Sequence, residues 1–276
     1  MDDVRDTAFS GPPPLPMLAV AARPVAGFLF DLLLAIALVL GVSVAGGVLW
    51  AVARGFQLGL QGGAPTDLAE LTTRIGQPGG LALIGISIAS TASAALVLYF
   101  WRRRATVVER ATSHRALRRL ATWGWAAVAG IATFAFSAVA TALAQHSGIE
   151  QMPSNLPVIE SVGGTHPALL LVFAVLLAPA YEELLFRRVL FGRLWAAGRP
   201  WLGLALSSIV FALMHELPGL TGNDWPATLL LWTCYAAMGA VFAWIYWRTG
   251  TLWAAILAHA VNNLLACTLL LAGTGG

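Results

Sequence analysis

The chain has 276 residues, of which 58% are apolar and only 11% charged, and its mean hydropathy is +0.77. This excludes a soluble globular domain and marks a polytopic membrane protein. The net charge of +3 rests on arginine alone, with no lysine in the chain, and the arginines gather in loops, so they read as topology information and not as a nucleic-acid footprint. Cys234 and Cys267 lie in apolar segments with neither disulfide nor metal spacing and read as packing residues.

Residues 1–18 combine acidic residues with Pro12-Pro13-Pro14 and lack the basic start and apolar core of a secretory signal. They are expected to be a short disordered cytoplasmic tail, leaving 19–276 as one transmembrane domain. Crossing about 30 Å of hydrocarbon takes roughly 20 helical residues. Runs that meet this length occur near 25–53, 80–101, 120–144, 167–190, 200–217, 226–247 and 250–272, the fifth being short. The predicted fold is therefore an all-α polytopic bundle of seven spans, or eight if Gln57–Gly79 or Gln145–His166 adds a re-entrant piece. Asp67 and Glu70 suit the first turn of a short surface helix. Asp31, inside the first span, reads as a carboxylate that snorkels or is hydrogen-bonded within the bundle.

Arginines 102–104, 110, 115, 118 and 119 follow the second span, and Arg187, Arg188, Arg193 and Arg199 cluster around the end of the fourth. Both groups belong on the cytoplasmic side. The N-terminus is then cytoplasmic and the C-terminus outside, in a bacterial-type plasma membrane. Only Arg54 and Arg74 dissent.

The run Tyr181-Glu182-Glu183-Leu184-Leu185-Phe186-Arg187-Arg188 sets two adjacent carboxylates in a segment that otherwise reads as a span. An intramembrane carboxylate costs several kcal/mol unless paired or solvated. Two later spans carry His215 and His259. Glycine and proline at Gly198-Arg199-Pro200 turn spans four and five into a hairpin, and counting from Arg199 puts Glu182 and His215 at nearly one depth. His259 meets them only if this hairpin projects roughly 10 Å further toward the cytoplasm than the next. Glu183 and Arg187 share one helical face, as do Phe211 and His215, and His259 and Asn263. A simple division lets Glu182 face His215 while Arg187 holds Glu183.

Amide hydrolysis needs an activated water, a group that takes and returns its proton, and donors where the oxyanion forms. Glu182 suits the general base and Asn263 an oxyanion donor. His215 and His259 are candidate ligands of zinc, with Glu182 as base or third ligand. Alternatively they orient the water without metal. His215-Glu216 continues as Leu217-Pro218-Gly219, so no H-E-x-x-H zinc helix is present.

Glu182-Glu183-x-x-x-Arg187, Phe211-x-x-x-His215 and His259-x-x-x-Asn263, in that order on successive helices, resemble the CPBP family of intramembrane proteases. That family includes the CAAX prenyl endopeptidases and proteins of bacteriocin processing and self-immunity. The resemblance covers about 167–272. It implies a membrane-embedded endopeptidase with Glu182 as base, His215, His259 and Asn263 completing the site, and Glu183 and Arg187 supporting it. Its partners would be the bilayer and a membrane-associated or lipidated substrate. The alternatives are a non-catalytic immunity or scaffold protein and a proton-coupled transporter, the latter opposed by the lack of an internal repeat.

Overall fold

The computed structural model describes residues 23–62, 67–219 and 221–273, so the tail expected at 1–18 lies outside the described residues. Ten helices run in chain order among those residues. They are α1 (Pro24–Leu60), α2 (Leu68–Ile75), α3 (Gly80–Arg102), α4 (Val107–Leu117), α5 (Leu120–His146), α6 (Leu156–Thr165), α7 (Pro167–Ala196), α8 (Pro200–His215), α9 (Trp225–Thr249) and α10 (Leu252–Gly273). Six of them, α1, α3, α5, α7, α9 and α10, are long and apolar enough to cross a membrane. The seventh apolar helix, α8, has 16 residues, about 24 Å at 1.5 Å per residue. The protein is an all-α polytopic bundle.

Among the described residues, the connections explain why no eighth span forms. Eight-residue α2 starts where the Asp67 carboxylate accepts from the Glu70 N–H at 3.1 Å, the usual N-cap arrangement. Ten-residue α6 is likewise too short to cross. Helix α8 stops at His215 because Glu216 is extended (φ −136°) and Pro218 cannot continue a helix.

Helix α7 is the hub of the packing. Its side chains enter all three buried clusters: one with α1, α3 and α8 around Phe28, Leu98, Leu185 and Phe211, one with α5, α9 and α10 around Phe191, Phe242 and Ala258, and one with α3, α6 and α10 around Leu170 and Cys267. In its most apolar stretch 44% of residues are buried inside the protein, against 6% for α1. The polar residues of α7 are thus enclosed by protein, while α1 turns Leu33, Leu49 and Phe56 outward.

Helix α5 pairs closely with α10 through Gly130. A Cβ there would stand 2.4 Å from the Ala258 carbonyl oxygen and 2.8 Å from Val261 Cβ. Gly130→Ala must therefore push α10 away beside His259, and it should destabilise the fold by about 1–3 kcal/mol despite the better helix propensity of alanine. Thermal unfolding in detergent reads this, and an unchanged or raised midpoint would refute the close packing.

At the arginine-rich end, Asp31 is fully buried and paired with Arg102 and Arg193. Its partners come from α3 and α7, so of the two expectations the hydrogen-bonded one holds, through a long-range ion cluster rather than snorkelling. Nearby, Arg188 Nη1 and Nη2 each donate to a Glu109 carboxylate oxygen at 2.8 Å. Burial opposes the Glu109 charge, but the hydrogen bonds and charge of Arg188 outweigh it and hold the carboxyl below its usual range. A depressed carboxyl contributes stability above its unfolded pKa, and this is lost as pH falls through the folded value. Glu109→Gln should accordingly flatten the acid side of the stability profile, followed as unfolding temperature against pH; an unchanged acid limb would refute it.

Candidate active site

Helix α7 departs from regular α geometry on both sides of the glutamates, with wide π-type turns at Val172–Leu177 and Leu184–Phe191. Such turns often occur at functional positions. Pro179 has no N–H to give to the preceding turn, and in that turn the Ala174 carbonyl accepts from Asn263 Nδ2 at 2.8 Å. Arg187 and Arg188, although consecutive, reach different partners, Glu183 and Glu109.

Three helices bring their polar groups together. Glu182 Oε2 on α7 lies 3.5 Å from His215 Nε2 on α8 and 3.9 Å from His259 Nε2 on α10. The Glu183 carboxylate is split between His259 Nδ1 at 2.9 Å and Arg187 Nε at 3.0 Å. Glu183 and Arg187 are 0% and 1% exposed, whereas Glu182 and His215 retain 17% and 20%. The second carboxylate is therefore sealed in the protein, and the first borders an accessible space.

Hydrogen bonding fixes how each imidazole is presented. His215 Nδ1 faces the Phe211 carbonyl at 2.8 Å; since a carbonyl only accepts, this nitrogen carries the hydrogen. His259 Nδ1 faces the Glu183 carboxylate, with the same consequence. Both Nε2 atoms are thereby turned toward Glu182 Oε2, a buried oxygen without a hydrogen-bond partner among the described residues. With neutral imidazoles, three acceptors would converge there. Such a cluster is satisfied by a shared proton, by a water that donates into it, or by a cation.

Aromatic rings hold this geometry. Phe242 stacks on His259 at 4.9 Å and 21°, while His215 lies between Phe211 at 4.1 Å and Tyr235 at 4.7 Å. The Arg187 guanidinium sits 4.4 Å above the Phe211 ring, a cation–π contact that partly offsets its removal from water.

Asn263 makes its hydrogen bonds to Ala174 O and, through Oδ1, with Asn262 Nδ2 at 3.1 Å. Sequence reasoning passed over Asn262, which is buried and whose Oδ1 has no partner among the described residues. Its signal was the spacing of three from His259. Tyr235 and Phe242 were also missed, because α9 carries no charge in its apolar core; their separation of seven residues on one helical face was the available clue.

The donor types, two imidazole Nε2 atoms and a carboxylate oxygen, are those of zinc sites, and hydrogen-bonded Nδ1 atoms are the usual outer support of histidine ligands. Among the described residues, no group of three or more His, Cys, Asp and Glu side chains is spaced to hold a metal ion as it stands.

The fold and this cluster together define an integral membrane helix bundle that encloses a polar site among its C-terminal helices. Residues 164–265, which contain every member of the cluster, match the family described as Type II CAAX prenyl endopeptidase Rce1-like. This part of the chain is similar to the CPBP, or CAAX protease, family. Over 116 residues the chain is 31% identical to "Putative membrane peptidase YdiL" of Bacillus subtilis (strain 168), a stretch covering 42% of this chain and 43% of that protein. The chain thus matches less than half the length of that curated relative. No solved structure matches the chain.

Proposed function

We propose that this protein is an intramembrane endopeptidase that hydrolyses a peptide bond of a membrane-associated or lipidated protein or peptide. The observation that carries this reading is the buried, unpartnered Glu182 oxygen set 3.5 Å and 3.9 Å from two histidine Nε2 atoms, on side chains of which Glu182 and His215 keep some exposure. In the reaction, Glu182 takes a proton from water as the water oxygen attacks the scissile carbonyl. The tetrahedral oxyanion is met by His215 or His259 donating from Nε2 in its protonated form, with the second Asn263 amide hydrogen available to add a donor. Glu182 then returns its proton to the leaving amine as the C–N bond breaks. Glu183 keeps the His259 ring oriented, and Arg187 holds Glu183 in place as its ion-pair partner. The arginine-rich helix ends would face the cytoplasm, with the C-terminus outside.

Zinc is a second reading of the same groups, favoured by the support of both Nδ1 atoms. Glu182 Oε2 and the two Nε2 atoms would hold it, and when bound it would polarise the attacking water. Zinc content of the purified protein, with chelation and re-addition, separates the two readings. Proteolysis itself is tested by incubating proteoliposomes with single-span and lipidated peptides and identifying new termini by mass spectrometry. Cuts made by the wild type and missing from Glu182→Gln support the reading, and cuts made equally by both reject it.

A further inference from the structure

Helix α4 sits between the ends of two membrane spans, α3 finishing at Arg102 and α5 starting at Leu120, so it lies at the level of the membrane surface. Its two faces differ in character. The outward face exposes Val107 (72%) and Val108 (53%) together with Arg110, His114, Arg115 and Arg118, and Arg104 and Arg119 flank it, also exposed. Among the described residues no carboxylate pairs with any of these five arginines. Exposed Trp101, Leu120 and Trp123 border the same region, as aromatic residues do at a membrane–water boundary.

The inward face is polar and engaged. Glu109 closes the helix start through a capping box with Thr106 and also takes both hydrogen bonds from Arg188 of α7. Ser113 Oγ meets Thr251 Oγ1 at 2.7 Å, at the turn between α9 and α10, and Arg103 Nη2 donates to the Gly192 carbonyl of α7 at 2.8 Å. Arg188 follows Glu182 by six residues and Thr251 precedes His259 by eight. One short helix thus grips both elements that carry the site.

We infer that α4 is a strap that docks on anionic phospholipid headgroups and transmits that contact to α7 and α10. Exposed valines are poorly served by water, and although Arg110 and Arg115 also bond Ala105 O and Thr112 Oγ1, these guanidiniums lack a carboxylate partner among the described residues; a headgroup layer takes both, accepting guanidinium hydrogen bonds on phosphate and covering the apolar side chains. Charge complementarity selects the anionic lipid class, each basic residue near such a surface adding a favourable increment. The strap does not depend on the protease reading, and its failure would leave the Glu182 cluster untouched.

The test places the full chain in nanodiscs of phosphatidylcholine alone, or of phosphatidylcholine mixed with phosphatidylglycerol. It follows amide hydrogen exchange over 107–117 and the unfolding temperature. Exchange in α4 is expected to slow several-fold and unfolding to rise in the anionic discs, with both effects shrinking at high salt. Replacing Arg104, Arg110, Arg115, Arg118 and Arg119 by Gln should abolish the difference between discs, and replacing all five by Lys should keep most of it. Soluble glycerol phosphate added to phosphatidylcholine discs should leave exchange unchanged. Equal exchange in the two discs, full lipid dependence in the five-Gln protein, or protection by glycerol phosphate alone would each overturn the inference.

Discussion

Arg187→Leu is expected to cost about 3–5 kcal/mol of stability, the range for removing one partner of a buried ion pair. The guanidinium is 1% exposed and Glu183 is 0% exposed, so deleting the cation strands a carboxylate that water cannot reach. Chemical denaturation in detergent measures the loss. Arg187→Met combined with Glu183→Gln should recover much of it, because both charges are then gone and the volume is largely kept. A double variant no more stable than Arg187→Leu would show that the pair is not what holds this part of α7. Arg187→Lys should fall between, since lysine keeps the charge but loses the planar contact with the Phe211 ring.

Glu182→Gln is expected to lower peptide cleavage by about 10²–10⁴-fold, the usual contribution of a positioned general base, with the loss in kcat and little change in KM. Glutamine keeps the shape of the side chain and removes its proton-accepting charge, so the unfolding temperature should stay near that of the wild type. Glu183→Gln should act differently. It removes the charge that orients His259 through Nδ1, so activity and stability should fall together. A Glu182→Gln enzyme that loses activity only because it unfolds would argue against the base assignment, and matched unfolding curves make that distinction.

Much of the scaffold was legible because hydrocarbon leaves few alternatives: an apolar run of about 20 residues must be helical. The hairpin of α7 and α8 followed from Gly198 and Pro200, and counting residues from that turn set Glu182 level with His215, which the 3.5 Å contact matches. The offset required of the α9–α10 hairpin leaves no local signature, since it depends on how far α7 and α8 protrude among their neighbours. Spacing of four on one helix also paired Glu183 with Arg187. What stayed hidden was long-range. Asp31 gave no sign that Arg102 and Arg193 were its partners, and nothing local linked Glu109 to Arg188. The amide of Asn263 was expected near the reacting groups on the strength of its helical face, yet that face also meets the Ala174 carbonyl in a widened turn. The widened turns in α7 leave no mark in apolar periodicity: Val172–Leu177 is apolar throughout, and Leu184–Phe191 is apolar except for Arg187 and Arg188.

The most direct measurement is cleavage of a membrane-peptide library by reconstituted wild type and Glu182→Gln in water enriched in ¹⁸O, with product termini read by mass spectrometry. Water-mediated hydrolysis at Glu182 predicts new carboxyl termini carrying the label from the wild type and their near absence from the variant. The same labelled termini released by both proteins at equal rates would contradict it.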